Sequence, residues 1–182
     1  MLASAEGKNP LASDYEVISS GSDHIICYQT PSYFVVVKSV KTGVGNHFLV
    51  KYNAGPGNTP PCTYSPEIDD FEIKDEWAAY FAYLKNDRLY LEHYTGPGPY
   101  IFSIWDLIER RKEYESFGSD VDYQEGSVIY WKETDKATIS TCSKLAEWES
   151  HGLGGAIETK VILNLSDFKT TLTNETRCSP RQ

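Results

Sequence analysis

Thr95-Gly96-Pro97-Gly98-Pro99 comes nearest, in this 182-residue chain, to a phosphate-binding loop. A phosphate cradle aims successive backbone N–H groups at oxygen. Pro97 and Pro99 have no N–H. No Lys-Ser or Lys-Thr follows, and a strand pattern comes next, so the P-loop reading fails. Dinucleotide spacing fails at Gly43, Gly55 and Gly96 as well, and no cofactor is expected. No GxSxG elbow occurs, which argues against an ordinary α/β-hydrolase; a triad assembled in space leaves no linear trace. His24, His47, His93 and His151 lack HxH and HExxH spacing, so no metal site is expected. Two carboxylates facing each other across a cleft can hydrolyse a glycoside. Glu92 and Asp106 fall in adjoining predicted strands, with Tyr94, Tyr100 and Trp105 nearby to stack on sugar, and these two are the catalytic candidates. The competing reading sets Glu92 with Tyr90 and Tyr94 on the outer face of an ordinary hairpin.

The elements that must position these residues read as short strands between Gly, Pro, Asn and Asp punctuation. Strand patterns cover residues 24–28, 33–38, 46–52, 77–84, 88–94, 100–107, 128–132, 160–165 and 169–176. Leu89, Leu91 and His93 alternate with Tyr90, Glu92 and Tyr94, the period of a strand. Asn86-Asp87 suits a tight turn before them. Residues 100–107 are apolar on both faces and read as a buried central strand. One short helix is expected near 143–151, capped by Ser143, with Leu145 and Trp148 on one face and Gly152 at its end. Residues 109–115 read as a turn followed by a strand, and residues 1–15 as a flexible arm. The acidic run Glu67, Asp69, Asp70, Glu72, Asp75 and Glu76 is interleaved with Phe71 and Ile73 and has no Gly. It reads as a solvated strand edge rather than a calcium loop, and secondarily as a docking patch for a basic partner.

The chain repeats itself. Thr42-Gly43-Val44-Gly45 returns as Thr95-Gly96-Pro97-Gly98, 53 residues on (95 − 42). The repeat spans about 18–64 and 71–123, followed by a helix-plus-hairpin unit, all within one β-rich domain over 16–182. In the second unit Ile104-Trp105-Asp106-Leu107 resembles the strand of a β-propeller blade that carries a Trp-Asp pair. That resemblance implies a binding scaffold whose loops face a partner, and it implies no reaction. A closed propeller needs about four blades of ~40 residues, more than the chain holds. The C-terminal part, from Trp148, is similar to the end of an uncharacterised bacterial exported protein family, which implies export. The fold expected is all-β and mainly antiparallel: a sandwich, a partial propeller or an open barrel of two to three blade-like units.

A formal net charge of −9 repels phosphate backbones, so nucleic acid is excluded as an expected partner and a cationic protein is the electrostatic match. No apolar run is long enough to span a bilayer. The polar start admits a cytosolic chain or a mature exported one with an added start Met. Cys27, Cys62, Cys142 and Cys178 form no CxxC pair. Three connectivities are open. The local one joins Cys27 to Cys62 and Cys142 to Cys178, worth roughly 4 kcal/mol per bridge. Disulfides favour a periplasmic or extracellular protein. The function expected is that of an exported non-enzymatic binding protein, such as an inhibitor or immunity protein against a secreted hydrolase or toxin. Tyr94, Gly96, Gly98, Tyr100 and Trp105 are the expected binding residues, because loops on rigid β scaffolds commonly bind. The alternatives are a small hydrolase of sugar or cell wall and a structural β protein without ligand; oligomeric state is left open.

Overall fold

The structure is a computed structural model describing residues 15–19, 24–41, 43–52, 59–74, 76–94, 96 and 98–182. The N-terminal arm up to residue 14, residues 20–23, Thr42, residues 53–58, Asp75, Thr95 and Pro97 lie outside the described residues. Tyr15, expected in the arm, is packed: its ring meets Tyr28, Phe81 and Tyr83 edge-on.

Among the described residues twelve strands and one helix follow one another: β1 (Glu16–Ser19), β2 (Ile25–Gln29), β3 (Tyr33–Ser39), β4 (Asn46–Tyr52), β5 (Phe71–Ile73), β6 (Ala79–Lys85), β7 (Arg88–His93), β8 (Tyr100–Asp106), β9 (Arg111–Gln124), β10 (Ser127–Lys136), α1 (Leu145–Ser150), β11 (Gly154–Asn164) and β12 (Thr170–Arg181). They form two antiparallel sheets whose spatial order is their chain order, β1 to β5 and β6 to β12. The protein is therefore an all-β open sandwich with one short helix. At the 53-residue offset, the meander β2–β4 falls on the meander β6–β8, one in each sheet.

The alternation in the sequence sorts side chains into two cores. Val35, Val37, Phe48 and Val50 of the first sheet pack on Ala79, Leu84, Leu89 and Leu91 of the second. The opposite face of β7 and β8 carries Tyr90, Phe102 and Ile104, which pack on Tyr123, Val128, Tyr130, Val161 and Leu163. The second sheet must curl to make these contacts. Tyr83 on β6 lies 6.2 Å, ring to ring, from Tyr123 on β9, three strands away in the sheet. β9 permits this by serving both halves. Arg111–Gly118 pairs with β8, and Ser119–Gln124 pairs with β10. At the junction Gly118 lies so close to Tyr130 that a Cβ would stand 2.6 Å from the ring, and Asp120 takes a φ of 46°.

Both disulfides have the local connectivity, Cys27–Cys62 and Cys142–Cys178, and fit an oxidising compartment. The first ties the 59–67 segment over the outer face of the first sheet, where Phe34, Val36 and Leu49 are buried. The second joins β12 to the loop before α1, whose Leu145 and Trp148 pack with Ala137 and Ile157. The expected Ser143 cap is a correction: Lys144 holds the N-cap position and makes no side-chain cap bond. Gly152, at φ +76°, follows the helix end. β5 is an edge strand as expected, yet its acidic flank is engaged: Asp70 and Glu67 hold buried Lys51, and Glu72 accepts from Tyr64 Oη. Among the described residues no helix is long and apolar enough to cross a membrane.

Candidate functional site at the turn end

The hairpin β3–β4 and the hairpin β7–β8 turn at the same end of the sandwich. Gly45 makes this possible. It sits at φ +91°, and a Cβ on it would stand 2.7 Å from Ala79 N and 2.8 Å from Ala78 Cα. Gly45 N–H donates to Tyr80 Oη at 3.2 Å, and Asn46 Nδ2 donates to the Ala79 carbonyl at 3.3 Å. From the other side Tyr94 N–H donates to the Ala78 carbonyl at 3.2 Å. Ala78–Tyr80 is thus the link between Gly45, at the end of the first TGxG turn, and Tyr94, just before the second. Three large apolar side chains stand out from this end: Trp77 at 66% exposure, Val44 at 58% and Tyr94 at 39%.

Beneath them Glu92 accepts three phenolic hydroxyls. Tyr94 Oη donates to Oε2 in a very close contact, while Tyr123 and Tyr100 donate to Oε1 at 3.0 and 3.2 Å. Tyr100 and Tyr94 are 4.7 Å apart, and Tyr80 is 5.7 Å from Tyr94, measured between ring centroids. Burial, then the bond to Glu92 and its charge, push the Tyr94 phenol far above its ordinary range. Burial and the Glu92 charge do the same to Tyr100 and Tyr123. The phenols therefore stay donors.

No family model, curated protein or solved structure matches this chain.

Of the residues singled out by sequence, the structure brings Glu92, Tyr94 and Tyr100 together. Gly96 stands in open space. Gly98, at φ +121°, lines a neighbouring pocket of about 400 Å³ with Pro99, Leu153, Pro180, Arg181 and Gln182. Trp105 lies on the other face of β8, 5.9 Å from Phe71 and under the Lys112 ammonium. It is not part of this site. Asp106 accepts from the N–H groups of Ile108 and Glu109, as a turn former does. Phe102 is the register partner of Glu92, and Asp106 lies four residues further along β8, about 13 Å at strand rise. The two carboxyls of a glycosidase stand roughly 5 to 9.5 Å apart, so this pair does not have that geometry. Glu92 is also half-buried at the margin of the second core, beside Phe102 and Tyr123, rather than on a bare outer face.

Sequence reasoning missed Tyr80, Tyr123 and Trp77 as members of the site. Tyr80 pairs with Glu92 across β6 and β7, so strand alternation with a correct register would have found it; Tyr123 arrives only through the curl. It also missed a serine–histidine pair. Ser103 and His93 are bonded Oγ to Nε2 at 3.0 Å, and His93 Nδ1 lies 3.0 Å from the Trp77 carbonyl. A carbonyl only accepts, so Nδ1 carries the proton in the neutral ring and Nε2 accepts the serine hydroxyl. Trp105 Nε1–H completes Ser103 Oγ at 3.3 Å. Ser103 is 0% and His93 5% exposed. A nucleophile sealed in this way meets no substrate, and the pair serves as a satisfied polar link within the core. Among the described residues no three His, Cys, Asp or Glu side chains form a group that could hold a metal.

Proposed function

We propose that this chain is an exported, non-enzymatic binding protein whose turn end docks a protein partner. The observation that carries the reading is the meeting of Gly45 and Tyr94 on Ala78–Tyr80, with Trp77, Val44 and Tyr94 exposed around the junction. Exposed aromatics on a pre-organised scaffold are the usual anchors of an interface, because they bury much area at little entropy cost. The two disulfides support export, and the net charge of −9 favours a cationic partner. An inhibitor or immunity protein against a secreted hydrolase or toxin is the form that suits this size, charge and compartment. The separation of Glu92 from Asp106 weighs against the glycosidase alternative.

A photo-crosslinking residue placed at 77 or 44 in the secreting host tests the reading. A discrete adduct is expected from these positions and none from Leu172, which is equally exposed on β12 at 60%. Equal labelling from all three, or none at the turn end, overturns it.

A further inference from the structure

We propose that Glu92 and the rings of Tyr80, Tyr94 and Tyr100 form a recognition cage for a lysine side chain of the protein partner. The inference rests on the turn end being the docking surface and names what it grips. Four observations carry it. Glu92 and Tyr80 face each other in register on adjoining strands, while Tyr94 and Tyr100 complete a row of rings at 5.7 and 4.7 Å spacing. Glu92 forms no ion pair among the described residues. Two cations of the same sheet are engaged elsewhere: Arg88, on the strand of Glu92, by Glu113, and Lys112, on β9, by Glu76 and Glu115. The charge of Glu92 is thus held by hydroxyls alone, at a surface where Tyr94 is open to solvent.

The count of acceptor sites selects the cation. A carboxylate offers about four lone-pair sites, and three hydroxyls occupy three of them, two on Oε1 and one on Oε2. One site remains on Oε2. An ammonium is a compact charge that needs a single acceptor and gains from tyrosine faces beside it. A guanidinium binds best through a fork that requires both oxygens. The cage therefore suits lysine over arginine.

The test is titration of the intact chain with acetyl-Gly-Lys-Gly-amide, read from the tyrosine ring resonances. Saturable shifts at Tyr94 and Tyr100 are expected. The norleucine analogue, which lacks only the ammonium, should give none, and the arginine analogue should bind at least threefold more weakly. Glu92→Gln should weaken the lysine peptide at least fivefold, and Glu149→Gln, an exposed carboxylate on α1, should leave it unchanged. Tyr94→Leu removes one wall of the cage and should weaken it similarly, which keeps the question open to experiment should Glu92→Gln misfold. Lysine and norleucine peptides that titrate alike, or a folded Glu92→Gln that binds as the parent does, overturn the cage. The two readings fail separately. Partner crosslinking from residue 77 that survives Glu92→Gln at parental level removes the cage and leaves the docking surface. Lysine-peptide binding without any crosslink from the turn end does the reverse.

Discussion

Glu158 has no exposure to solvent, yet it is charged and stands on a sheet face. Four groups make this tolerable. Ser119 Oγ and Arg181 reach Oε1 at 2.7 Å each, and Arg177 reaches Oε2 at 2.7 Å. The ring of Trp131 supports Arg177 from 4.4 Å. Burial alone would raise the Glu158 pKa, but the bonds from Ser119, Arg181 and Arg177 outweigh it and hold the carboxyl below its ordinary value. A carboxyl lowered in the folded state stabilises the fold above its unfolded pKa of about 4.5, and that stabilisation is lost as pH falls through the folded value. Glu158→Gln takes the buried carboxylate from two guanidinium groups and leaves each with one exposed partner, Asp120 for Arg177 and Glu133 for Arg181. It should cost about 2 to 3 kcal/mol, a fall in Tm on the order of 8 °C for a chain of this size. The variant's Tm should also decline less than the parent's between pH 6 and pH 3. A parental pH slope in the variant would show that other carboxylates set the acid limit.

At the scale of elements, the junction at Gly45 and the second disulfide carry separable predictions. Gly45→Ala must clear Ala79 N and Ala78 Cα at a positive φ, and should cost about 3 kcal/mol. Gly126→Ala has the same backbone problem, φ +76°, with nothing within 4 Å of the added carbon. It should cost about 1 kcal/mol. The difference between the two in a denaturant titration measures the close approach of the hairpins. Replacing Cys142 and Cys178 by serine opens a loop closed over a separation of 36 residues and should cost about 4 kcal/mol. Hydrogen exchange should then rise first in α1 and the ends of β11 and β12, before β3 and β4. The same scale shows what the sequence could say. Asn46–Tyr52 was legible end to end from its β-rich apolar run, and the alternation of Leu89 and Leu91 against Tyr90 and Glu92 was legible because the two faces of β7 meet different neighbours, aliphatic on one side and aromatic on the other. β1 and β5, at four and three residues, are too short to show either. The 14-residue β9 is largely polar and half-exposed, so only its start was readable. Trp105 was misplaced because its neighbours in sequence, not its parity along β8, suggested company with Tyr100. Tyr123 reaches Glu92 across 31 residues, a contact set by the curl of a whole sheet.

The whole molecule presents two separate influences to a partner. A net charge of −9 acts at a distance, and is screened beyond about 8 Å at physiological ionic strength. The exposed cluster of Trp77, Val44 and Tyr94 acts only in contact. Long-range charge governs how often a cationic partner arrives in a productive orientation, whereas desolvated anchors govern how long it stays. The two should therefore divide cleanly in kinetics with the partner that crosslinks to residue 77. Raising ionic strength from about 0.05 to about 0.5 M should lower the association rate at least tenfold and change the dissociation rate less than about threefold. Trp77→Ala should do the opposite, accelerating dissociation at least tenfold with little change in association. A salt effect confined to dissociation would mean that charge is used only in contact. A Trp77→Ala complex as long-lived as the parent's would move the anchor away from the turn end, because no other large apolar side chain there stands as far into solvent among the described residues.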